Sequence, residues 1–169
     1  MLKKLILPIL VLSTSFININ ALDDGDVRIE ANLFEANDRE RVSIFSGSVK
    51  ITKGKDVISS SIAKIYFDKK NQPLKYEFLD NVSFKIHLQK NSTYVGSAEE
   101  VYLIPKNKKY ILSKSVEITE IQTGRKITGN KISLDGTNGS AKVIGDNKSP
   151  VIMSFTVGEN QNERSERRK

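Results

Sequence analysis

Asn81-Val-Ser-Phe-Lys-Ile-His-Leu88 decides how the rest of the chain is read. Val82, Phe84, Ile86 and Leu88 alternate with Ser83, Lys85 and His87. A period of two puts one set of side chains on a buried face and the other in water, which is the pattern of a half-buried β-strand. Val151, Met153, Phe155 and Val157 run the same way, interrupted only by Ile152. Shorter copies are Val49/Ile51, Ile65/Phe67, Tyr76/Phe78, Val101/Leu103, Val116/Ile118 and Ile132/Leu134. No stretch after residue 22 keeps an i, i+3, i+4, i+7 stripe long enough for a helix. Turn formers separate the runs, as at Lys53-Gly54-Lys55-Asp56, Lys69 to Pro73, Lys90-Asn91-Ser92, Pro105 to Lys108, Asp135 to Gly139 and Gly145 to Asn147. The pattern predicts an antiparallel all-β domain.

The runs also repeat. Ser48-Val-Lys-Ile51, Asn81-Val-Ser-Phe84, Ser115-Val-Glu-Ile118 and Pro150-Val-Ile-Met153 place valines at 49, 82, 116 and 151, spaced by 33, 34 and 35 residues. A second signature falls inside each unit: Ile62 to Phe67, Ala98 to Leu103 and Gly129 to Leu134. Units of three or four strands that cannot bury a face alone must stack on their neighbours. The units are too few to close a propeller, so an open, stacked, twisted β-sandwich or jellyroll-like groove is expected. Such a stack leaves two open ends with unpaired backbone groups. No proline interrupts Val27–Phe34 or Val151–Val157, so the two unlike ends can pair head to tail.

Both termini read differently from the body. Lys3 and Lys4 precede an unbroken apolar run, Leu5 to Leu12, and Ala21 suits a cleavage site. Residues 1–21 therefore read as a secretory signal peptide, too short in its apolar run to span a bilayer. The domain is expected over 22–157. Residues 158–169 contain no apolar side chain and read as a disordered, weakly basic tail, a solvated segment rather than a nucleic-acid arm.

Composition excludes several classes of function. The chain of 169 residues has no Cys and one His. A disulfide scaffold, a thiol catalyst and a Cys-based zinc site are ruled out, and no nucleophile–base set is visible. His87 reads as a solvated residue on the polar face of its strand. Glu99 and Glu100, as strand neighbours, are expected on opposite faces and so form no acid–base pair. Lys69-Lys70 and Lys106 to Lys109 read as solvated hairpin tips. The net charge is 27 − 20 = +7, or +5 once Lys3 and Lys4 are removed. A binding protein without enzymatic activity, metal or cofactor is expected.

The signal peptide, the opening strand Val27-Arg-Ile-Glu-Ala and the pair Phe45-Ser-Gly-Ser-Val-Lys-Ile-Thr-Lys-Gly and Ile58-Ser-Ser-Ser-Ile-Ala-Lys-Ile-Tyr-Phe67 together resemble the OstA-like family over about Val27–Val157. The lysine-rich linker after Phe67 is short and the last repeat is loosely matched, which leaves strand register after residue 135 open. The resemblance implies an open, V-shaped antiparallel β-jellyroll that carries lipopolysaccharide through the periplasm. It implies self-assembly head to tail, between an inner-membrane-anchored partner and an outer-membrane translocon that share the fold. The physics suits that role. Exposing an acyl chain of a dozen CH₂ groups to water costs about 10 kcal/mol, and an apolar groove removes that cost. By family position, Val27, Ile29, Phe84, Ile86, Val101 and Leu103 are expected to line the groove and touch acyl chains. Repeat equivalence adds Val49, Ile51, Ile65, Phe67, Ile118, Ile132 and Leu134. A cargo-free secreted β-repeat scaffold, with the same inward residues as plain core, is the competing expectation.

Overall fold

The structure, a computed structural model, describes residues 26–89 and 92–156. The expected signal peptide (1–21) and tail (158–169) lie outside the described residues. The strands are β1 (Val27–Glu30), β2 (Leu33–Asn37), β3 (Val42–Lys53), β4 (Asp56–Phe67), β5 (Pro73–Gln89), β6 (Ser92–Ile104), β7 (Lys109–Glu120), β8 (Lys126–Asp135), β9 (Ser140–Ile144) and β10 (Ile152–Ser154), with one 3-10 turn at Pro105–Asn107. All pairings are antiparallel. β3 to β8 form a meander in chain order, β1 and β2 both pair β3, and β9 and β10 both pair β8. The sheet never closes.

Every long strand breaks register near its middle. The breaks fall at Ser46/Val49, Ser59/Ile62, Leu79/Val82, Ser97/Glu100 and Ser113/Val116. Each break is a corner at which the strand leaves one leaf of the sheet and enters the other. The first leaf runs β2, β3, β4, β5, β6, β7, β8, β9. The second runs β1, β3, β4, β5, β6, β7, β8, β10. A single apolar core draws residues from both, Phe78, Leu112 and Ile132 from the first and Val49, Val82, Ile86 and Val116 from the second. The two leaves therefore face each other, joined along the corners.

The corners have two constructions. In β3, β5 and β7 two consecutive residues take left-handed backbone: Gly47 and Ser48 (φ 80° and 50°), Asp80 and Asn81 (61° and 54°), Lys114 and Ser115 (66° and 50°). This pair sets the inward residues four apart, as from Phe78 to Val82 and from Leu112 to Val116. In β4, β6 and β8 the inward residues are three apart: Ser60 to Ala63, Ala98 to Val101, Gly129 to Ile132. The small residue at each of these corners leaves room for the turn, and the buried Ser60 hydroxyl donates to the Ile62 carbonyl at 2.8 Å. Left-handed backbone costs a non-glycine residue about 1–2 kcal/mol. Burial of the valine that follows, Val49, Val82 or Val116, returns about 1.5–3 kcal/mol.

These corners correct three sequence expectations. The repeat unit is one bent hairpin of two long strands, not three or four short ones. In the second signature the first copy is shifted by two residues, because Phe78 pairs with both Ala63 and Val101. Ser60 to Ile65 is the true counterpart of Ala98 to Leu103. Glu99 and Glu100 both lie outside the core, since the corner inserts them between the inward Ala98 and Val101; Glu100 pairs with Lys114 at 2.7 Å. Val49, Val82 and Val116 keep equivalent buried places, but the fourth copy departs. Val151 precedes β10 and is exposed, as are Ile152, Met153 and Phe155, because no further strand among the described residues covers them. β10 still holds register on β8 beyond residue 135.

The outer face of the first leaf carries a polar network. The Tyr66 hydroxyl donates to Glu77 at 2.7 Å, and the Lys75 ammonium lies 4.1 Å from the centre of the Tyr66 ring. The hydrogen bond to Glu77, with smaller contributions from burial and from the carboxylate charge, pushes the Tyr66 phenol up to about 12.

Two predictions follow from this geometry. Gly47 sits at φ 80°, and a Cβ there would approach Asn32 Cβ to 2.9 Å. Gly47→Ala is expected to lower stability by about 1–2 kcal/mol in urea denaturation; an unchanged midpoint would contradict the corner. Tyr66 keeps its proton in the folded chain where the unfolded chain loses it, so stability is complete below pH 10 and falls as pH rises toward about 12. Tyr66→Phe is expected to make that alkaline fall shallower, read as urea midpoints across the same window.

Candidate functional site

Corners line one long side of the molecule and strand tips line the other. The tips of the first leaf are the β2–β3, β4–β5, β6–β7 and β8–β9 turns. The described tips of the second are the β3–β4 and β7–β8 turns. Between the two rows of tips the interior opens as a cleft of about 620 Å³ and, farther along the sheet, a small pocket of about 60 Å³. Leu88 at the end of β5 borders both. Its δ-carbon lies 3.6 Å from where a Cβ on Gly136 would stand, so it meets the β8–β9 turn and separates the two spaces.

The floor of the cleft is apolar. Ile51 and Ile58 come from the second leaf, and Tyr76, Phe78, Leu103 and Tyr110 from the first. Leu103 pairs with both Tyr76 and Tyr110, so these three form one rung across β5, β6 and β7. Burial is the main cause that raises the Tyr110 phenol well above its ordinary value, with the Asp56 carboxylate adding to it. Val27 of the first edge strand completes the wall at one end. The rim is polar: Lys53, Lys55 and Asp56 from the β3–β4 turn, His87 from β5 and Lys108 from the β6–β7 turn. Asp56 Oδ1 accepts the His87 backbone N–H at 2.8 Å and lies 2.8 Å from His87 Nδ1.

The small pocket is lined by Ile118, Ile127, Ile132 and Leu134, with Glu120 and Arg125 at its edge. Glu120 takes the inward position that follows Val116 and Ile118. It is 8% exposed, and its carboxylate is held by Arg125 at 2.7 Å and by the Thr123 hydroxyl at 2.8 Å.

The thirteen residues expected to line a groove divide three ways. Val27, Ile51 and Leu103 line the cleft, and Ile118, Ile132 and Leu134 line the pocket. Val49, Ile65, Phe84, Ile86 and Val101 are buried in the packed core. Ile29 and Phe67 are half-buried against it. Alternation selected the inward face correctly, but whether an inward residue meets space or a neighbour is set by how the opposite leaf packs. Phe84 shows this. It faces Gly96, where an added Cβ would stand 2.8 Å from the Phe84 ring.

Sequence reasoning missed Ile58, Tyr76, Phe78, Leu88 and Tyr110 as lining residues. Tyr76 and Phe78 already alternate as an inward pair in the sequence, but only the pairing of the strands places Tyr76 and Tyr110 opposite Leu103. His87 is corrected: it is half-buried, its ring borders the cleft, and Asp56 at the start of β4 holds it at 2.8 Å. No group of three or more metal-ligating side chains occurs among the described residues.

Comparison with known proteins places this architecture. The crystal structure of LptH, the LptA-homologous periplasmic component of the conserved lipopolysaccharide transport device from Pseudomonas aeruginosa, matches 79% of this chain and 97% of that one, with a TM-score of 0.69 and 12% sequence identity. At that identity the likeness establishes the fold, the unclosed antiparallel β-jellyroll. No curated protein sequence matches. The family profile described as LptA/(LptD N-terminal domain) LPS transport protein matches residues 28–140, from the first edge strand to the start of β9. That is more than half of the chain, and with it the protein belongs to the LptA/LptD N-terminal domain family of lipopolysaccharide transport proteins.

Proposed function

We propose that the protein is a non-enzymatic periplasmic carrier that holds lipopolysaccharide acyl chains between its two leaves. It would bridge an inner-membrane-anchored component and an outer-membrane translocon by head-to-tail stacking. Family membership gives the role in lipopolysaccharide transport. The observation that carries the rest is the cleft of about 620 Å³, floored by apolar residues and open at the strand tips. That volume lies within the range of roughly 300–1,000 Å³ usual for sites that enclose small apolar ligands. The proposed acyl contacts are the lining residues, Ile51, Ile58, Phe78 and Leu103 first. The deeply packed Val49, Ile65, Phe84, Ile86 and Val101 serve as the wall behind them.

The ends of the sheet support stacking. Val27, Leu33 and Phe34 are exposed at the first end, and Ile144, Val151, Ile152, Met153 and Phe155 at the other. Among the described residues, only Leu74 and Ile121 of the exposed large apolar side chains lie elsewhere. Edge strands with unpaired backbone and apolar side chains are templates for adding a strand. The two ends differ in sequence, so the joint is head to tail and extends rather than closes.

Photo-crosslinking tests the groove. A photoreactive side chain at Leu103 is expected to label lipopolysaccharide and one at the outward-facing Lys85 is not; equal labelling would sink the assignment. Leu103→Asp is expected to abolish uptake with the β circular dichroism intact, because Leu103 borders open space. Phe84→Asp would instead bury an unpaired charge and unfold the chain. For stacking, light scattering over a concentration series is expected to show growing mass. Met153→Pro, which blocks strand addition at β10, is expected to hold the chain as a monomer; growth unaffected by that change would refute the joint.

A further inference from the structure

We propose that Lys53, Lys55 and Lys108 form a seat for the phosphorylated head of the lipid at the mouth of the larger cleft. This rests on the lipid-carrying reading above and adds where the head goes. The three lysines come from two turns more than 50 residues apart in sequence, one on each leaf, and line the same mouth. None is ion-paired among the described residues, whereas Lys75, Lys114 and Lys126 elsewhere on the sheet each reach a carboxylate. The one carboxylate in this rim, Asp56, is engaged by the ring and backbone N–H of His87. With His87 neutral, the rim carries 3 − 1 = +2.

The backbone under Lys108 is fixed. Its φ is 46°, its N–H donates to the Pro105 carbonyl at 3.1 Å, and its carbonyl accepts the Gly136 N–H at 2.9 Å. The Thr137 hydroxyl donates to the neighbouring Asn107 carbonyl at 3.0 Å, so two turns hold this cation over the cleft. Directly below lies the apolar floor of Ile51, Ile58 and Leu103. Cations at a rim and hydrocarbon beneath match an amphiphile with an anionic head, and a phosphate satisfies several ammonium donors at once. The small pocket offers no such seat, since its Arg125 is taken by Glu120 at 2.7 Å. The anionic head is thereby assigned to the cleft next to β1 and not to the β9 end.

The test compares the full chain with Lys53→Gln/Lys55→Gln/Lys108→Gln and with a control, Lys64→Gln/Lys131→Gln/Lys142→Gln, which removes equal charge from the outer face. Binding is measured for bisphosphorylated lipid A and for the same lipid without phosphates, with inorganic phosphate as a competitor. The rim variant is expected to lose roughly a hundredfold in affinity for the phosphorylated lipid, at about fivefold per lysine. It should bind the dephosphorylated lipid as the full chain does, the control should keep both affinities, and the difference should shrink as salt rises. Inorganic phosphate is expected to compete only weakly, because it cannot use the apolar floor. If dephosphorylated lipid binds but the rim variant loses nothing, or no more than the control, the lysine seat is wrong and the groove stands. If free phosphate displaces the lipid in full, the rim is a general anion site and the proposal falls. If the full chain binds neither lipid, the carrier reading itself fails.

Discussion

Left-handed residue pairs at the strand corners are the constraint on which the structure depends. Gly47-Ser48, Asp80-Asn81 and Lys114-Ser115 each force a long strand to leave one leaf and enter the other. Without them β3 to β8 would make one broad sheet with an apolar face open to water. With them that face folds onto itself, and two leaves bury each other without a closed barrel or a disulfide. The chain has no Cys, so this packing alone holds the fold. A barrel would have removed the free edges. Corners do not, and the fold keeps both an accessible interior and two unsatisfied ends.

Much of this was legible in the residues. Val82, Phe84 and Ile86 announced a strand and its inward face, and the valine spacing announced a repeat. The corners were not legible, because their cost is borne by ordinary polar residues. Asp80-Asn81 and Lys114-Ser115 look like two more outward positions, and only pairing with the neighbouring strands shows that both lie outside. The β7–β8 turn was also hidden. Ile121-Gln-Thr-Gly-Arg125 has neither Pro nor Asn, and is organised by Glu120, whose carboxylate holds Thr123 and Arg125. The site was half legible for a related reason. Local alternation says which way a side chain points, but not what the other leaf places opposite it. Ile86 and Leu103 read alike in sequence, yet one is sealed and the other faces the cleft.

His87 and the rim lysines extend the same point to charge. Each basic turn, taken singly, is a solvated hairpin tip. Folding the sheet along its corners brings the β3–β4 and β6–β7 turns to opposite lips of one opening, which no local reading of either segment could show. The Asp56–His87 contact then ties the β3–β4 turn to β5. Through it the rim's carboxylate is engaged beside the three lysines that share its opening.

The position of the two cavities bears on how stacked copies would work. Val27 of β1 is both a wall of the larger cleft and part of the exposed first edge. At the other end the small pocket reaches Ser140 and Ala141 of the edge strand β9. Neither space stops short of its edge. A copy added strand to strand at either end would therefore meet an apolar space at the joint rather than a packed wall. Exposed apolar side chains at an edge are normally a liability that proteins suppress with charge or proline. Here Leu33 and Phe34 of β2 and Ile152 and Met153 of β10 are left uncovered at the same two ends, on the other leaf from the edge strand that each cavity reaches. The same residues would seal a joint against water, and at that joint an acyl chain passing between copies would otherwise be exposed at about 0.8 kcal/mol per CH₂. Under the proposed stacking, edge chemistry and interior chemistry would serve one requirement, continuity of an apolar path across a boundary between molecules.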